Sequence, residues 1–337
     1  MRRLALVLTL AAAAAAAAPA ATAQAPRAKW DTKVFALIPQ PGYPAHAYVH
    51  PNGRVYEGTY DNPQGDSRAS RVFEFSKAGT LLRSWTIQRQ STGDPHGVQV
   101  ATSDAKGRLV LLDKAPARAV VLNLGNGRQR LYSKFPGNAV PNYGAWGPDG
   151  SLYVTDYESP VLWRIPPRGG RAKEWLRDPA LDGSQFGATG IQLMADGKTL
   201  MVGTQSAAGL GFGDPTTGRL LKIPIVTPAK PGKITQFWES KTLDGPDGFA
   251  IAKDGSVYVA LLVANAIAEV SPQGVETDRS PTDGFDNPSN AQFLGNRLMV
   301  ANQSYFTGDT SKQAVLDVYV GKPGLKRPIP KNAGFKN

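Results

Sequence analysis

The sequence predicts an all-β fold, a six-bladed β-propeller, on three observations. A phrase made of a small-residue or proline-led turn, an alternating apolar run, a glycine turn and a second apolar run occurs six times. Its turn glycines, Gly53, Gly107, Gly150, Gly197, Gly255 and Gly295, lie about 40 to 58 residues apart, which is the spacing of four-stranded blades. No long segment with helical apolar periodicity competes, and 36 glycines and 27 prolines suit many short turns.

In order, the phrase reads PAHAYVHPNGRVYEG from Pro44, PHGVQVATSDAKGRLVLLD from Pro95 and PNYGAWGPDGSLYVTD from Pro141. It recurs as ATGIQLMADGKTLMVG from Ala188, PDGFAIAKDGSVYVA from Pro246 and PSNAQFLGNRLMVAN from Pro288. Side chains on a strand alternate between its two faces, so each copy reads as two strands joined by a tight turn, the inner pair of a blade. Further alternating segments follow from Arg71, Ala119, Val161, Arg219, Ile267 and Ala314, and these supply the outer strands. The apolar stretch from Lys33 to Ile38 has no inner strands before it. It is expected to complete the last blade as an outer strand and so close the ring between the two ends of the chain. Inserts rich in Gly, Ser and Asp, from Asp61 to Ser70, Ser206 to Thr217 and Tyr305 to Lys312, are expected as rim loops.

The N-terminus reads as an export signal. Arg2 and Arg3 precede an apolar stretch from Leu4 to Ala18 and a small-residue site at Ala21-Thr22-Ala23. Residues 1–23 are therefore expected to be a removed signal peptide, and residues 24–337 a single domain that is periplasmic or secreted. No later apolar stretch is long enough for stable membrane insertion. There is no cysteine, so an oxidising compartment is tolerated without being used for cross-linking. The net charge of +11 falls to +9 without Arg2 and Arg3. Basic residues are scattered apart from a tail bearing Lys322, Lys326, Arg327, Lys331 and Lys336, read as a solvated surface. Without a basic stripe interleaved with aromatics, nucleic acid is not an expected partner.

Function is expected where the phrases open. In a propeller the innermost strand of each blade lines the central channel, so the residue just before it faces the axis at one mouth. Counting back from the turn glycines gives Ala45, Asn142, Thr189 and Asp247. Aligning PHGV with PDGF adds His96, and the shorter sixth turn adds Ser289 or Asn290. Polar groups converging in a concavity make a candidate binding site. Asp247 can accept a proton or bind a hard cation, Asn142 can offer an oxygen to a metal, and His96 can act as a base. The alternative is that these groups cap turns or bind channel water. His46 and Tyr143, one residue beyond the ring, together with Thr189 and Asn290, are candidates for substrate contact. No P-loop, no GxSxG elbow and no metal-binding His or Cys pair at helical spacing is present.

The third and fifth copies, PNYGAWGPDGSLYVTD and GPDGFAIAKDGSVYVA, resemble the gluconolactonase and regucalcin (senescence marker protein) family of six-bladed propellers. The resemblance spans nearly all of the chain after residue 23. It implies lactone or ester hydrolysis at the channel mouth and a divalent cation, most often calcium. The cation is held by a glutamate in the first repeat, asparagines in the third and fourth and an aspartate in the fifth. Asn142 and Asp247 match two of these positions, while Ala45 stands for the glutamate and Thr189 for the second asparagine. With one carboxylate fewer, calcium affinity is expected to fall. Two functions follow: a hydrolase of a small lactone or ester, using Asp247 and His96 with or without a metal on Asn142 and Asp247, or a non-catalytic module that binds a small ligand or protein partner.

Overall fold

The computed structural model describes residues 26–183, 186–206 and 217–335. The expected signal segment and most of the 206–217 insert lie outside the described residues. Six sheets form the chain's blades, antiparallel except where the short strand Gly170–Arg171 adds in parallel to the outer edge of the second. Blade one contains Tyr48–Val49, Val55–Gly58, Arg71–Phe75 and Leu81–Thr86, and blade two Val98–Ser103, Leu109–Asp113, Arg118–Leu122 and Gln129–Lys134. Blade three contains Pro141–Trp146, Leu152–Asp156, Val161–Ile165 and Lys173–Arg177. Blade four is built on Ala188–Leu193, Thr199–Thr204, Arg219–Thr227 and Thr235–Glu239, and blade five on Pro246–Ile251, Val257–Leu261, Ala266–Val270 and Glu276–Arg279. In blade six, Pro288–Leu294, Arg297–Asn302 and Ala314–Tyr319 are completed by the N-terminal strand Thr32–Leu37, which pairs with Ala314–Tyr319.

Each sheet is apolar on both faces and cannot bury itself alone, so the core is divided among the interfaces between neighbouring blades. Six clusters account for it, one per interface. The closing interface packs Ala36, Met299, Ala301 and Val315 of blade six against Ala47, Val55, Phe73 and Phe75 of blade one. At about 1.5–3 kcal/mol for each large side chain buried, every interface contributes to stability. Among the described residues the only helical element is the short 3-10 turn Pro179–Leu181, and no helix is long and apolar enough to cross a membrane.

The inner-strand turns lie at the end opposite the mouth, and the C-terminal segment crosses them. Gly150, with φ +82°, occupies a turn that strains other residues, and a Cβ there would sit 2.5 Å from Asn332 Oδ1 of that segment. The segment is tied down along its length. Lys322 bonds Asp254 and Glu269 (2.8 and 2.9 Å), Leu325 N–H donates to the Ile251 carbonyl (2.8 Å), and Phe335 packs edge-on against Tyr132. The expectation of a solvated basic tail therefore holds for exposed Lys326 and Lys331 and fails for Lys322 and Arg327. Lys336 lies outside the described residues.

Candidate functional site

Strand register identifies the residues of the mouth. Pairing is antiparallel, so the start of each innermost strand lies opposite the end of the second. Pro44 pairs with Thr59, Val98 with Asp113 and Pro141 with Asp156. Ala188 pairs with Thr204, Pro246 with Leu261 and Pro288 with Asn302. The residues that follow these openings are Ala45, Gln99, Asn142, Thr189, Asp247 and Ser289. In blades three to six the register shifts at once, a bulge that re-aims side chains at a sheet end.

Blade two departs from this pattern, and the departure corrects one expectation. Its shift falls later, between Val100 and Thr102. Aligning its opening with that of blade five therefore stops three residues short, and the ring residue is Gln99 in place of His96. His96 lines a separate cavity of about 330 Å³ with Asp66, Arg68 and Asp94. Its Nδ1 and Nε2 each lie 2.8 Å from a backbone carbonyl, those of Asp94 and Arg68, so it braces the 61–70 loop.

Ala45, Gln99, Asn142, Asp247 and Ser289 form the floor of one cavity of about 370 Å³ at the mouth. Loops between blades raise its walls, with Tyr60, Tyr157, Phe186, Leu262 and Tyr305 above the floor. Asp61 and Lys114 form an ion pair of 2.7 Å on one wall. Thr189 turns below the floor, where its hydroxyl donates to the Asp247 carbonyl oxygen (3.1 Å). Asn290 is buried behind it, and its Cα lies 2.9 Å from where a Cβ on Gly248 would stand, so the inner strands of blades five and six meet through that glycine. Neither Thr189 nor Asn290 lines the cavity.

Asp247 is the buried carboxylate of the cavity. Its Oδ2 lies 2.8 Å from Ser289 Oγ, and Tyr143 stands against it from behind while donating to the Ser289 carbonyl oxygen (2.9 Å). Burial pushes the Asp247 carboxyl up to about 7, against the opposing effect of the Ser289 and Tyr143 hydroxyls. Tyr143 itself is pushed well up by burial and by the Asp247 charge, which keeps it a neutral donor. Beside the ring, Glu57 Oε1 accepts the amide N–H groups of Ala45, His46 and Gly58 (3.2, 2.9 and 3.2 Å). That carboxyl holds the backbone that opens blade one, and burial pushes it up to about 8.

His46 lies below the mouth and does not line the cavity; it is buried with its ring 4.8 Å from that of Tyr143. Its chemistry is set from the opposite end of the channel. Arg327 enters there, stacks over Tyr48 (5.1 Å) and donates to Gln292 Oε1 (2.5 Å). The same oxygen accepts Val49 N–H (3.0 Å). Both partners are donors only, so Gln292 must present its NH₂ to His46 Nε2, 2.8 Å away. His46 is thus the tautomer protonated on Nδ1, and burial together with the Arg327 charge holds its pKa well below the usual histidine range. A line of polar groups, Asp247, Ser289, Tyr143, His46, Gln292 and Arg327, runs down the channel from mouth to tail.

The donor set at the mouth does not fit a divalent cation. Asn142 Oδ1, the oxygen that would face a metal, accepts Gln99 Nε2–H (2.7 Å), and Thr189 is turned to a backbone carbonyl. Ala45 offers no side-chain oxygen, which leaves a single carboxylate, too little charge for tight calcium binding. Among the described residues no group of three or more His, Cys, Asp or Glu side chains converges as metal ligands.

Sequence reasoning missed Gln99, Tyr60, Lys114 and Arg327. Gln99 is recoverable from the sequence by matching the ends of paired strands in place of turn glycines. Arg327 follows no repeat and leaves no comparable signal. Antiparallel pairing also places Asp113 and Asp156 at the mouth end, one strand out from the axis.

Fold and site together define a six-bladed propeller with a cavity at one mouth, polar at its floor and walled by aromatic and polar side chains. Residues 66–301 match the family described as SMP-30/Gluconolactonase/LRE-like region, and the chain belongs to that family. Among solved structures, the chain is similar to a putative gluconolactonase at 16% identity and a TM-score of 0.63, over 89% of this chain and 95% of the other. It is also similar to the calcium-binding protein regucalcin from Agrobacterium tumefaciens (14% identity, TM-score 0.62, 88% and 98% covered). A third likeness is to an inactive virginiamycin B lyase variant from Staphylococcus aureus bound to quinupristin (16% identity, TM-score 0.57, 86% and 99% covered). At these identities the likeness establishes the fold, which carries hydrolytic and lytic enzymes alike. No curated protein matches the sequence significantly.

Proposed function

We propose that this protein is an exported hydrolase of a small lactone or ester, with Asp247 as the general base at the cavity floor. The observation that carries the reading is a buried carboxylate, poised near 7 by desolvation, facing a cavity large enough for a small substrate. Above that pH Asp247 takes a proton from water as the water oxygen bonds to the substrate carbonyl carbon. The acyl C–O bond then breaks, and the proton returns to the departing alkoxide oxygen. A lactone gives a hydroxy acid, and an ester gives an acid and an alcohol. Because the Asn142 oxygen is taken by Gln99, its NH₂ is the group available to donate to the carbonyl oxygen as negative charge gathers there. Ser289 and Tyr143 position Asp247. Family membership supports the reaction class, and no step here needs a cation.

Export rests on the N-terminal sequence, and the mature chain is expected to begin at Gln24 on N-terminal sequencing. The hydrolase reading is tested by assaying a panel of lactones and esters with wild type and Asp247→Asn, each with and without added calcium or chelator. The expected result is turnover insensitive to chelator and reduced about 10²–10⁴-fold by the substitution. Equal rates in the two proteins remove Asp247 from catalysis. The replacement of two family ligand positions by Ala45 and Thr189 favours a second reading, a binding module, which predicts ligand binding with no turnover in either protein.

A further inference from the structure

We propose that the substrate carries an alkyl or aromatic body in place of the hydroxyl groups of a sugar lactone; this rests on the hydrolase reading of the same cavity. Several polar groups of the cavity are already engaged with one another. Asn142 Oδ1 is taken by Gln99, Asp247 Oδ2 by Ser289, and Asp61 by Lys114. Among the described residues that line the cavity, the fully buried side-chain atoms left without a partner are the Tyr60 hydroxyl and Gln99 Oε1, and Glu158, Gln205 and Gln303 add further polar groups to the lining. A polyhydroxylated ring has donors and acceptors on every carbon. Its groups that face Phe186, Leu262 and the tyrosine rings would stay unpaired, and each unpaired group loses affinity.

The rim points the same way. Leu243, Val263 and Phe306 are 59%, 45% and 59% exposed, and all three stand around this one opening. Their loops are braced. Leu243 adopts φ +62°, an unfavourable backbone for a branched residue, in a turn where Asp244 accepts the Lys241 N–H (3.0 Å) and both Arg279 Nη groups (2.7 and 2.8 Å). Phe306 donates its N–H to Asn287 Oδ1 (3.0 Å), and the next residue, Thr307, bonds Asp286 (2.6 Å). Apolar side chains held outward on braced loops around an aromatic cavity form a collar for an apolar group. The carbonyl then lies at the floor beside Asp247 and Asn142, with the alkyl or aryl portion extending to the rim.

A matched pair of lactones tests this: δ-nonalactone, with a butyl chain on the ring, and glucono-δ-lactone, with hydroxyls on the same ring. Both are assayed for hydrolysis by the full-length mature protein and by Phe306→Ala, and both are titrated calorimetrically into Asp247→Asn. The expected result is a kcat/KM at least about ten-fold higher for δ-nonalactone, with the ratio reduced about ten-fold in Phe306→Ala. Turnover of glucono-δ-lactone as fast as or faster than that of δ-nonalactone overturns the proposal and leaves the hydrolase reading standing. If neither is hydrolysed, the hydrolase reading fails, and the calorimetric ranking decides the apolar preference alone: tighter δ-nonalactone upholds it, tighter or equal glucono-δ-lactone removes it.

Discussion

Glu57 offers a quantitative test of how the mouth is built. It is fully buried, one oxygen serves three backbone amides, and the other has no partner. Its folded pKa is raised, so the folded protein holds the proton more tightly than the unfolded chain. The contribution is intact below about 4.5 and is lost as pH climbs through about 8. At about 1.4 kcal/mol per pH unit, the wild type loses about 4 to 5 kcal/mol from this one group across that window. Glu57→Gln keeps the accepting oxygen and cannot ionise, so it mimics the neutral acid. Urea unfolding at a series of pH values from 5 to 9 should find the variant close to wild type at pH 5 and about 4 kcal/mol more stable at pH 9. Parallel stability curves for the two proteins would show that Glu57 does not titrate in the folded state, and the argument from burial would fail.

Two further outcomes concern the ends of the chain. In Arg327→Met the Val49 N–H still orients Gln292, so the His46 ring should keep its Nδ1–H tautomer, seen in its ¹⁵N shifts, while its pKa rises as the neighbouring positive charge disappears; an unchanged His46 pKa would mean that the tail does not act on it. Deleting residues 26–38 leaves Ala314–Tyr319 as an open edge and strips Ala36 and Ile38 from the closing interface. Loss of a single cooperative thermal transition and concentration-dependent aggregation are expected, and a truncated chain that unfolds like wild type would mean that the ring does not need this strand.

The architecture was legible because it rests on repetition. Every copy of the phrase had its turn glycine and its alternating strands, and even the closing strand at Lys33 to Ile38 followed from having no inner partners of its own. The ring was legible where a bulge immediately follows the opening residue, as at Asn142, Thr189 and Asp247. It failed at His96 because blade two delays that bulge, and register depends on hydrogen bonding that residue spacing alone does not encode. Exposure was harder still. Thr189, Tyr143 and His46 occupy positions next to the mouth, yet their side chains turn beneath it, a choice made by the partners Asp247, Ser289 and Gln292 on other blades. Arg327 reaches the channel across the far face, an approach set by the path of the tail over several blades.

The pH dependence of kcat/KM on a hydrolysed lactone or ester tests the central claim most directly. With Asp247 as the base and its carboxyl pushed up to about 7, the profile should rise through that pH to a plateau in wild type and lose this limb in Asp247→Asn. A profile that is flat between pH 5 and 9, or a limb that survives the substitution, would contradict it.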